Sequence, residues 1–557
     1  GWWRDTLEAD AELAAFSGFR HAEAVSRFRA LDERAMKVAQ AEVVRRLVER
    51  MPDLHAPGDE MALVRRQLQL QRNHLAPRRL FSRLPTLLKR LKPIVLMSPQ
   101  SVARFLDPSV EAYDVVVFDE ASQIPPWDAV GAIARGRQAI IVGDSKQLPP
   151  TSFFDRAEED EDGSLDDESV EEMESVLDEA TASNLAQLQL RWHYRSRHES
   201  LITFSNRHYY EGRLHTFPSA DAATEGVGLE LRPLPSGTYD RGGSRTNRAE
   251  ADAVVAEIER QLDLPDDARP TLGVVTFSMA QQRLVQDLTD QLRQRRPELD
   301  RFFLVGAHEH VFIKNLENVQ GDERDVMLFS IGYGADRNGK LTMSFGPINR
   351  KGGERRLNVA ITRARTRLIV FSSLDPDQID LNRTSAVGAR HLRAFLRFAR
   401  DGVRALDAEA LAEDVARFES PFEQQVHDVL VAAGHTVHTQ VGCSGYRVDL
   451  AVVDPERLGR YLLGVECDGA TWHSSRSRAE RELCDGATWH SSRSARERDR
   501  LRQAVLENLG WTIARVWSTD WWFNREEQTR RLLEAIAQAK RSPRPRVAAA
   551  VAAAPPA

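Results

Sequence analysis

The sequence predicts an α/β protein with parallel sheets, and three observations carry that prediction. Short apolar, β-branched runs stop abruptly at acidic or glycine-rich turns, as in Val115-Val116-Val117-Phe118-Asp119-Glu120 and Ile140-Ile141-Val142-Gly143-Asp144. Continuous runs of this kind read as strands buried on both faces, as in a parallel sheet. Around them lie stretches whose apolar residues fall at helical spacing among Arg and Glu, such as Val38, Val43, Val44, Leu47 and Val48. A chain of 557 residues then has room for about three or four domains.

Composition removes several classes. No stretch reaches the ~18 apolar residues that a membrane-spanning helix requires, so no membrane partner is expected. Three cysteines in 557 residues argue against a disulfide scaffold and for a reducing, cytoplasmic setting. The net charge of −7 is misleading, because residues 155–179 hold fourteen acids and one arginine and leave the rest of the chain at +6. A mildly basic body with one acidic loop is compatible with a nucleic-acid partner.

In chain order, residues 1–91 read as a helical region packing on its own core. It is interrupted at Pro52, Pro57 and Gly58 and studded with basic residues such as Arg65, Arg66, Lys89 and Arg90. Residues 92–154 read as a first α/β segment with strands at Ile94–Met97, Val115–Phe118 and Ile140–Val142. The acidic stretch 155–184 is expected to be disordered, with a helix near Val170–Leu177. Residues 185–400 read as a second α/β domain with parallel strands at 272–277, 326–330 and 368–371. An Ala/Asp/Glu-rich linker covers 401–417, a third pattern covers 418–540, and a Pro/Arg/Ala tail covers 541–557.

Ligands in open α/β sheets gather at the carboxyl ends of strands. Asp119 is therefore placed to hold Mg²⁺, and Glu120 to orient an attacking water in phosphoryl transfer. The plainer reading of the pair is two acids capping the next helix. Further on stand Gly143-Asp144-Ser145-Lys146-Gln147, Trp192-His193-Tyr194-Arg195, Asn318-Val319-Gln320-Gly321-Asp322-Glu323 and Asn358-Val359-Ala360-Ile361-Thr362-Arg363. Together and in this order they resemble motifs II to VI of superfamily 1 helicases, over roughly residues 90–380. The resemblance implies two RecA-like lobes that use ATP and Mg²⁺ and move on nucleic acid, DNA more readily than RNA. It implies Gln147 as the γ-phosphate sensor and Arg195 and Arg363 as its clamps, since a guanidinium matches phosphate oxygens bidentately. Gly321 would let backbone approach the nucleotide, and Glu323 would accept hydrogen bonds from ribose. Ser98, Thr276 and Ser278 are the candidates for nucleic-acid backbone contact, with an N-cap as the alternative reading of Ser98. Nothing in the sequence matches Gly-x-x-x-x-Gly-Lys-Ser/Thr, the loop that cradles phosphates. The expectation is a C-terminal portion of a longer motor, or a truncated product. Its phosphate loop would come from an upstream polypeptide, and alone it would hydrolyse ATP poorly.

From Ser420 the pattern changes. A helix at Glu423–Ala433 ends at Gly434, a strand follows at Tyr446–Val452, an apolar strand from Tyr461 ends in Glu466, and a basic helix at Ala495–Leu509 leads to Gly510–Trp517. This order resembles the restriction-endonuclease-like fold, in particular relatives of the very-short-patch-repair endonucleases. The resemblance implies Asp449 and Glu466 as Mg²⁺ ligands, Glu423 in support, and Asp468 or His473 handling protons. The usual Glu-x-Lys is Glu466-Cys467-Asp468 here, so the catalytic lysine is absent. The segment 467–477 also recurs identically at 484–494. The reading is thus an ATP-dependent helicase or translocase portion joined to an endonuclease-like domain. The alternative is a nucleic-acid-binding fragment without turnover.

Overall fold

The computed structural model describes residues 17–53, 58–108, 113–150, 175–221, 227–304, 309–402, 418, 420–442, 446–457, 459–468 and 500–541. The linker from 403, the greater part of the acidic stretch, the repeat with His473, and the tail from 542 lie outside them. The chain forms two compact units, residues 26–189 and residues 1–25 with 190–557.

In the 26–189 unit, β1 (Tyr113–Phe118) pairs in parallel with β2 (Gly136–Ile141) as a two-stranded sheet. Phe118, Ala121, Ala129, Ala132 and Val176 form its core. The sequence predicted β1 as a strand covered on both faces. Instead Val115 is 42% and Val117 60% exposed, because two strands cannot cover their own faces. Ile94–Met97 is not a strand. It finds no ladder partner, and Leu96 is 92% exposed. The long helix Gly18–Arg50 is present, but Val38, Val43, Val44, Leu47 and Val48 are exposed rather than packed on a core. The nearby buried cluster is Met61, Leu84 and Leu87. The helix expected near Val170–Leu177 starts at Val176, where Ser175 and Asp178 form a reciprocal capping box.

The other unit contains a five-stranded, all-parallel sheet. Its strands are β3 (Gly228–Pro233), β4 (Leu272–Thr276), β5 (Phe312–Asn315), β6 (Arg324–Ser330) and β7 (Ala364–Ser372), in the order β3-β7-β6-β4-β5. Helices Arg248–Leu262 and Met279–Arg295 pack Val254, Ile258, Val285 and Leu292 onto Val274, Leu328 and Ile369. Crossovers of this kind bury parallel strands on both faces, which is why β4, β6 and β7 each carry a continuous apolar run.

Residues 418–541 add a four-stranded mixed sheet. Its strands are β8 (Val437–Val441), β9 (Val448–Val453), β10 (Tyr461–Asp468) and β11 (Ile513–Trp517), in the order β11-β10-β9-β8. β10 runs parallel to β11 and antiparallel to β9. Helices Pro421–Ala432 and Arg525–Arg541 cover one face through Phe422, Val426, Leu532 and Ile536. Gly434 takes φ +87° just past the first helix, as a C-cap glycine should.

Candidate nucleotide and endonuclease sites

Asp119 and Glu120 leave the carboxyl end of β1. Glu120 sits in the left-handed region at φ 54° and donates its N–H to Asp119 Oδ1 at 3.0 Å. Two backbone bonds tie this turn to the end of β2: Val142 N–H to Phe118 O and Ala121 N–H to Val142 O, both 2.9 Å. A side chain at Gly143 would meet the Ser122 and Ala121 nitrogens at 2.9 and 3.1 Å. That glycine is thus required where the acidic turn and the Gly143–Gln147 loop share one sheet edge. Gln147 leans on Asp144, donating Nε2–H to Oδ2 at 3.1 Å. Ser98 is the N-cap of helix Pro99–Phe105, accepting the Ser101 N–H at 3.2 Å, so the capping alternative describes it here.

In the larger unit, Arg195 and Glu323 meet. Arg195 Nε lies 2.8 Å from Glu323 Oε2, and Arg365 holds Oε1 at 2.9 Å while also reaching Glu309. Both oxygens of Glu323 are therefore engaged by guanidiniums, and a ribose hydroxyl would compete with them. His193 shapes the turn that presents Arg195. Its Nε2 accepts the Ser196 N–H at 3.1 Å, and burial with the neighbouring Arg195 pulls its pKa down to about 4. Gly321 takes φ +85°, a conformation that favours glycine, with open space around it rather than a close approach. Arg363 is buried between helix Gly353–Ile361 and β7, with Nε–H donated to Val359 O at 2.8 Å. Thr276, a candidate for backbone contact, lies at the end of β4. It is fully buried and bonds to Ser278 O, while Ser278 caps helix Met279–Arg295.

The endonuclease-like sheet brings its acids together. Asp449 on β9 and Glu466 on β10 sit at neighbouring register positions, next to the Val465–Leu450 pair. Asp449 Oδ2 accepts the Cys467 N–H at 2.8 Å. Burial, with Glu466 and Glu423 close by, holds the Asp449 carboxyl well above the usual range. Glu423 is oriented by Ser420 Oγ at 2.9 Å and Gln440 Nε2 at 3.1 Å. Glu466 accepts from the Tyr446 hydroxyl on one oxygen and from Arg502 Nη2 on the other, at 2.7 Å. The Arg502 guanidinium lies 4.1 Å from the Tyr446 ring centroid. Arg502 was not singled out from sequence, and its only signal there is its place in a basic helix. Asp468 is the outlying acid, 3.9 Å from Arg515.

Among the described residues no three His, Cys, Asp or Glu side chains converge as a metal cage. Mg²⁺ needs fewer, since it takes one or two carboxylates and keeps several waters. A buried oxygen donor crowded by like charge, as Asp449 is, fits such an ion.

Three family models match parts of this chain. Residues 94–154 match the AAA_11 AAA-domain family, residues 172–375 match the AAA_12 AAA-domain family, and residues 422–483 and 483–536 match the REase_MTES_1575 family. An uncharacterised ATP-dependent helicase of Mycoplasma pneumoniae, the MG140 homolog, is 30% identical over 455 residues, which cover 79% of this chain and 38% of that protein. The uncharacterised ATP-dependent helicase MG140 of Mycoplasma genitalium is 36% identical over 318 residues, covering 56% of this chain and 27% of that protein. The mouse DNA-binding protein SMUBP-2 is 24% identical over 288 residues, covering 46% of this chain and 24% of that protein. The chain thus spans roughly a third of the length of the first two relatives. No helix among the described residues is long and apolar enough to cross a membrane.

Proposed function

We propose that this chain, whose helicase-type AAA segments precede an endonuclease-like segment, is the C-terminal portion of an ATP-dependent DNA helicase or translocase with an attached Mg²⁺-dependent endonuclease-like domain. The observation that carries the reading is the buried Asp449–Glu466 pair at the joined edge of β9 and β10. It lies in the same compact unit as the Arg195–Glu323–Arg365 cluster.

Each residue has a task in this reading. In the 26–189 unit Asp119 is the candidate for a nucleotide's Mg²⁺, Glu120 for orienting water and Gln147 for the γ-phosphate; in the other unit Arg195 and Arg363 are the guanidiniums suited to a γ-phosphate. Such guanidiniums contribute ~10³–10⁵ in rate where charge builds on the transferring group. In the endonuclease-like site Asp449 and Glu466 hold Mg²⁺, whose chemistry there is to polarise a scissile phosphate and activate water. Glu423 keeps the acidic set in register, and Asp468 takes up a proton. His473, outside the described residues, is a second candidate for that proton. An upstream polypeptide supplies the phosphate loop. DNA is favoured as partner by the endonuclease-like domain and by the DNA-binding relative.

The test is Mg²⁺-dependent nicking of supercoiled plasmid. Wild type should nick it, and Asp449→Ala should lose at least about a hundredfold, the scale on which loss of a metal-oriented step acts. A second reading, nucleic-acid binding without turnover, is favoured by one observation: both oxygens of Glu466 are already engaged. Plasmid retardation by wild type with no nicking in Mg²⁺ or Mn²⁺ would decide for it.

A further inference from the structure

The segment that carries Arg195 is built into the wall of the endonuclease-like domain. Arg191–His193 pairs with His215, through His215 N–H to Arg191 O at 2.7 Å and His193 N–H to His215 O at 3.0 Å. The Trp192 ring then lies 5.4 Å from Phe217, and Phe217 lies 5.4 Å from Tyr446, centroid to centroid. Phe217 and Ala220 share one buried cluster with Tyr446, Val448, Leu506 and Trp511. Backbone bonds fix the contact. Trp511 Nε1–H donates to Pro218 O at 2.8 Å, and Tyr461 N–H donates to Ala220 O at 2.9 Å. The Tyr446 ring is thereby held between Phe217 and the Arg502 guanidinium, and its hydroxyl ends on Glu466.

We propose that Tyr446 is a positioning residue for Glu466, and that Phe217 and Trp192 set it from the helicase segment, so that metal affinity at Asp449–Glu466 depends on the segment bearing Arg195. The proposal rests on the reading of Asp449 and Glu466 as metal ligands. Hydrogen-bond partners of ligating carboxylates commonly change metal affinity 10–100-fold. Chains of packed side chains can carry such coupling, and the rings of Trp192, Phe217 and Tyr446 lie in contact one after another.

The experiment is titration of Mn²⁺ alone into the full chain, with unfolding temperature measured in parallel. Tyr446→Phe keeps the ring and its packing and removes only the hydroxyl. It should weaken Mn²⁺ binding about tenfold with little change in unfolding temperature. Phe217→Ala should weaken it in the same direction although Phe217 touches no ligand, and Phe217→Leu, which keeps most of the volume, should restore it. Asp449→Ala should abolish binding. Loss of binding in Asp449→Ala, with both Tyr446→Phe and Phe217→Ala binding like wild type, overturns this inference alone. Wild-type binding by Asp449→Ala overturns the metal reading and the inference with it. A weakened Tyr446→Phe beside an unaffected, folded Phe217→Ala overturns the link to the helicase segment.

Discussion

Arg502 stands where a missing lysine would lead one to look for a cation. Its guanidinium and the Glu466 carboxylate are each 4% exposed and 2.7 Å apart. Taking such a pair out of water costs nearly what the contact returns, so the pair itself adds little net stability. Removing one partner is different, because the remaining charge stays buried and uncompensated. Arg502→Ala is therefore expected to destabilise the domain by about 3–5 kcal/mol, measured by chemical denaturation. Glu466 would then lie beside Asp449 with no guanidinium, and added Mg²⁺ should recover more stability in Arg502→Ala than in wild type. Equal recovery in the two proteins would mean that the carboxylates do not share an ion. The Tyr446 phenol supports the same arrangement. Burial and the adjacent Glu466 carboxylate hold it well above its usual range, so it stays protonated and donates.

At the scale of elements, the carboxyl edge of the parallel sheet is tied together by Glu250. Fully buried at the start of helix Arg248–Leu262, it accepts from Ser330 Oγ at 2.9 Å, Gly332 N–H at 2.6 Å and Ser373 N–H at 2.7 Å. Asn247 and Gln281 extend the net to helix Met279–Arg295. Burial pushes the Glu250 carboxyl up to about 7 from 4.5. An acid raised in this way is protonated in the folded state between those values. Its contribution is full below pH 4.5 and is lost as pH rises through 7. The shift corresponds to about 3 kcal/mol at 1.36 kcal/mol per unit. His193 and His391, which burial pulls down to about 4, act in the opposite sense as pH rises toward 6.5. The measurement is thus a difference: the stability of wild type minus that of Glu250→Gln should fall between pH 5 and 8. A flat difference would show that Glu250 is already ionised at pH 5. This net was not legible in the sequence, because it joins residues 80 and 123 positions apart. Strands β4, β6 and β7 were legible, as burial on both faces leaves a continuous apolar run. β3 and β5 were not, since Glu230 and Lys314 interrupt theirs and find Arg367 and Asp322 in the fold. Polar β8, Val-His-Thr-Gln-Val, lies at a sheet edge where no apolar run is demanded. Ile94–Met97 misled for the converse reason: an apolar run becomes a strand only where a neighbour accepts its hydrogen bonds. Asp119, Arg195, Glu323 and Arg363 could be named from their motifs, whereas Arg502 required the fold.

For the molecule as a whole, phosphoryl transfer asks for three things. Carboxylates must hold the metal and orient water, guanidiniums must neutralise the γ-phosphate, and a backbone cradle with a lysine must bind the β- and γ-phosphates. The sequence supplies candidates for the first two in Asp119–Glu120 and in Arg195 and Arg363. It contains no Gly-x-x-x-x-Gly-Lys-Ser/Thr for the third. The β1–β2 pair leaves apolar side chains exposed among the described residues. Parallel sheets occur almost only with both faces covered, yet Val115, Val117 and Ile140 are exposed on this one. The expected outcome for purified 1–557 is ATP hydrolysis near background, unstimulated by single-stranded DNA and unchanged by Glu120→Gln. Supplying a polypeptide with the phosphate loop should raise turnover, and Glu120→Gln should then remove the gain. Robust DNA-stimulated hydrolysis by 1–557 alone, lost in Glu120→Gln, would mean that this chain builds its phosphate cradle from another loop. The Asp144–Gln147 turn at the end of β2 would be the first place to look for it.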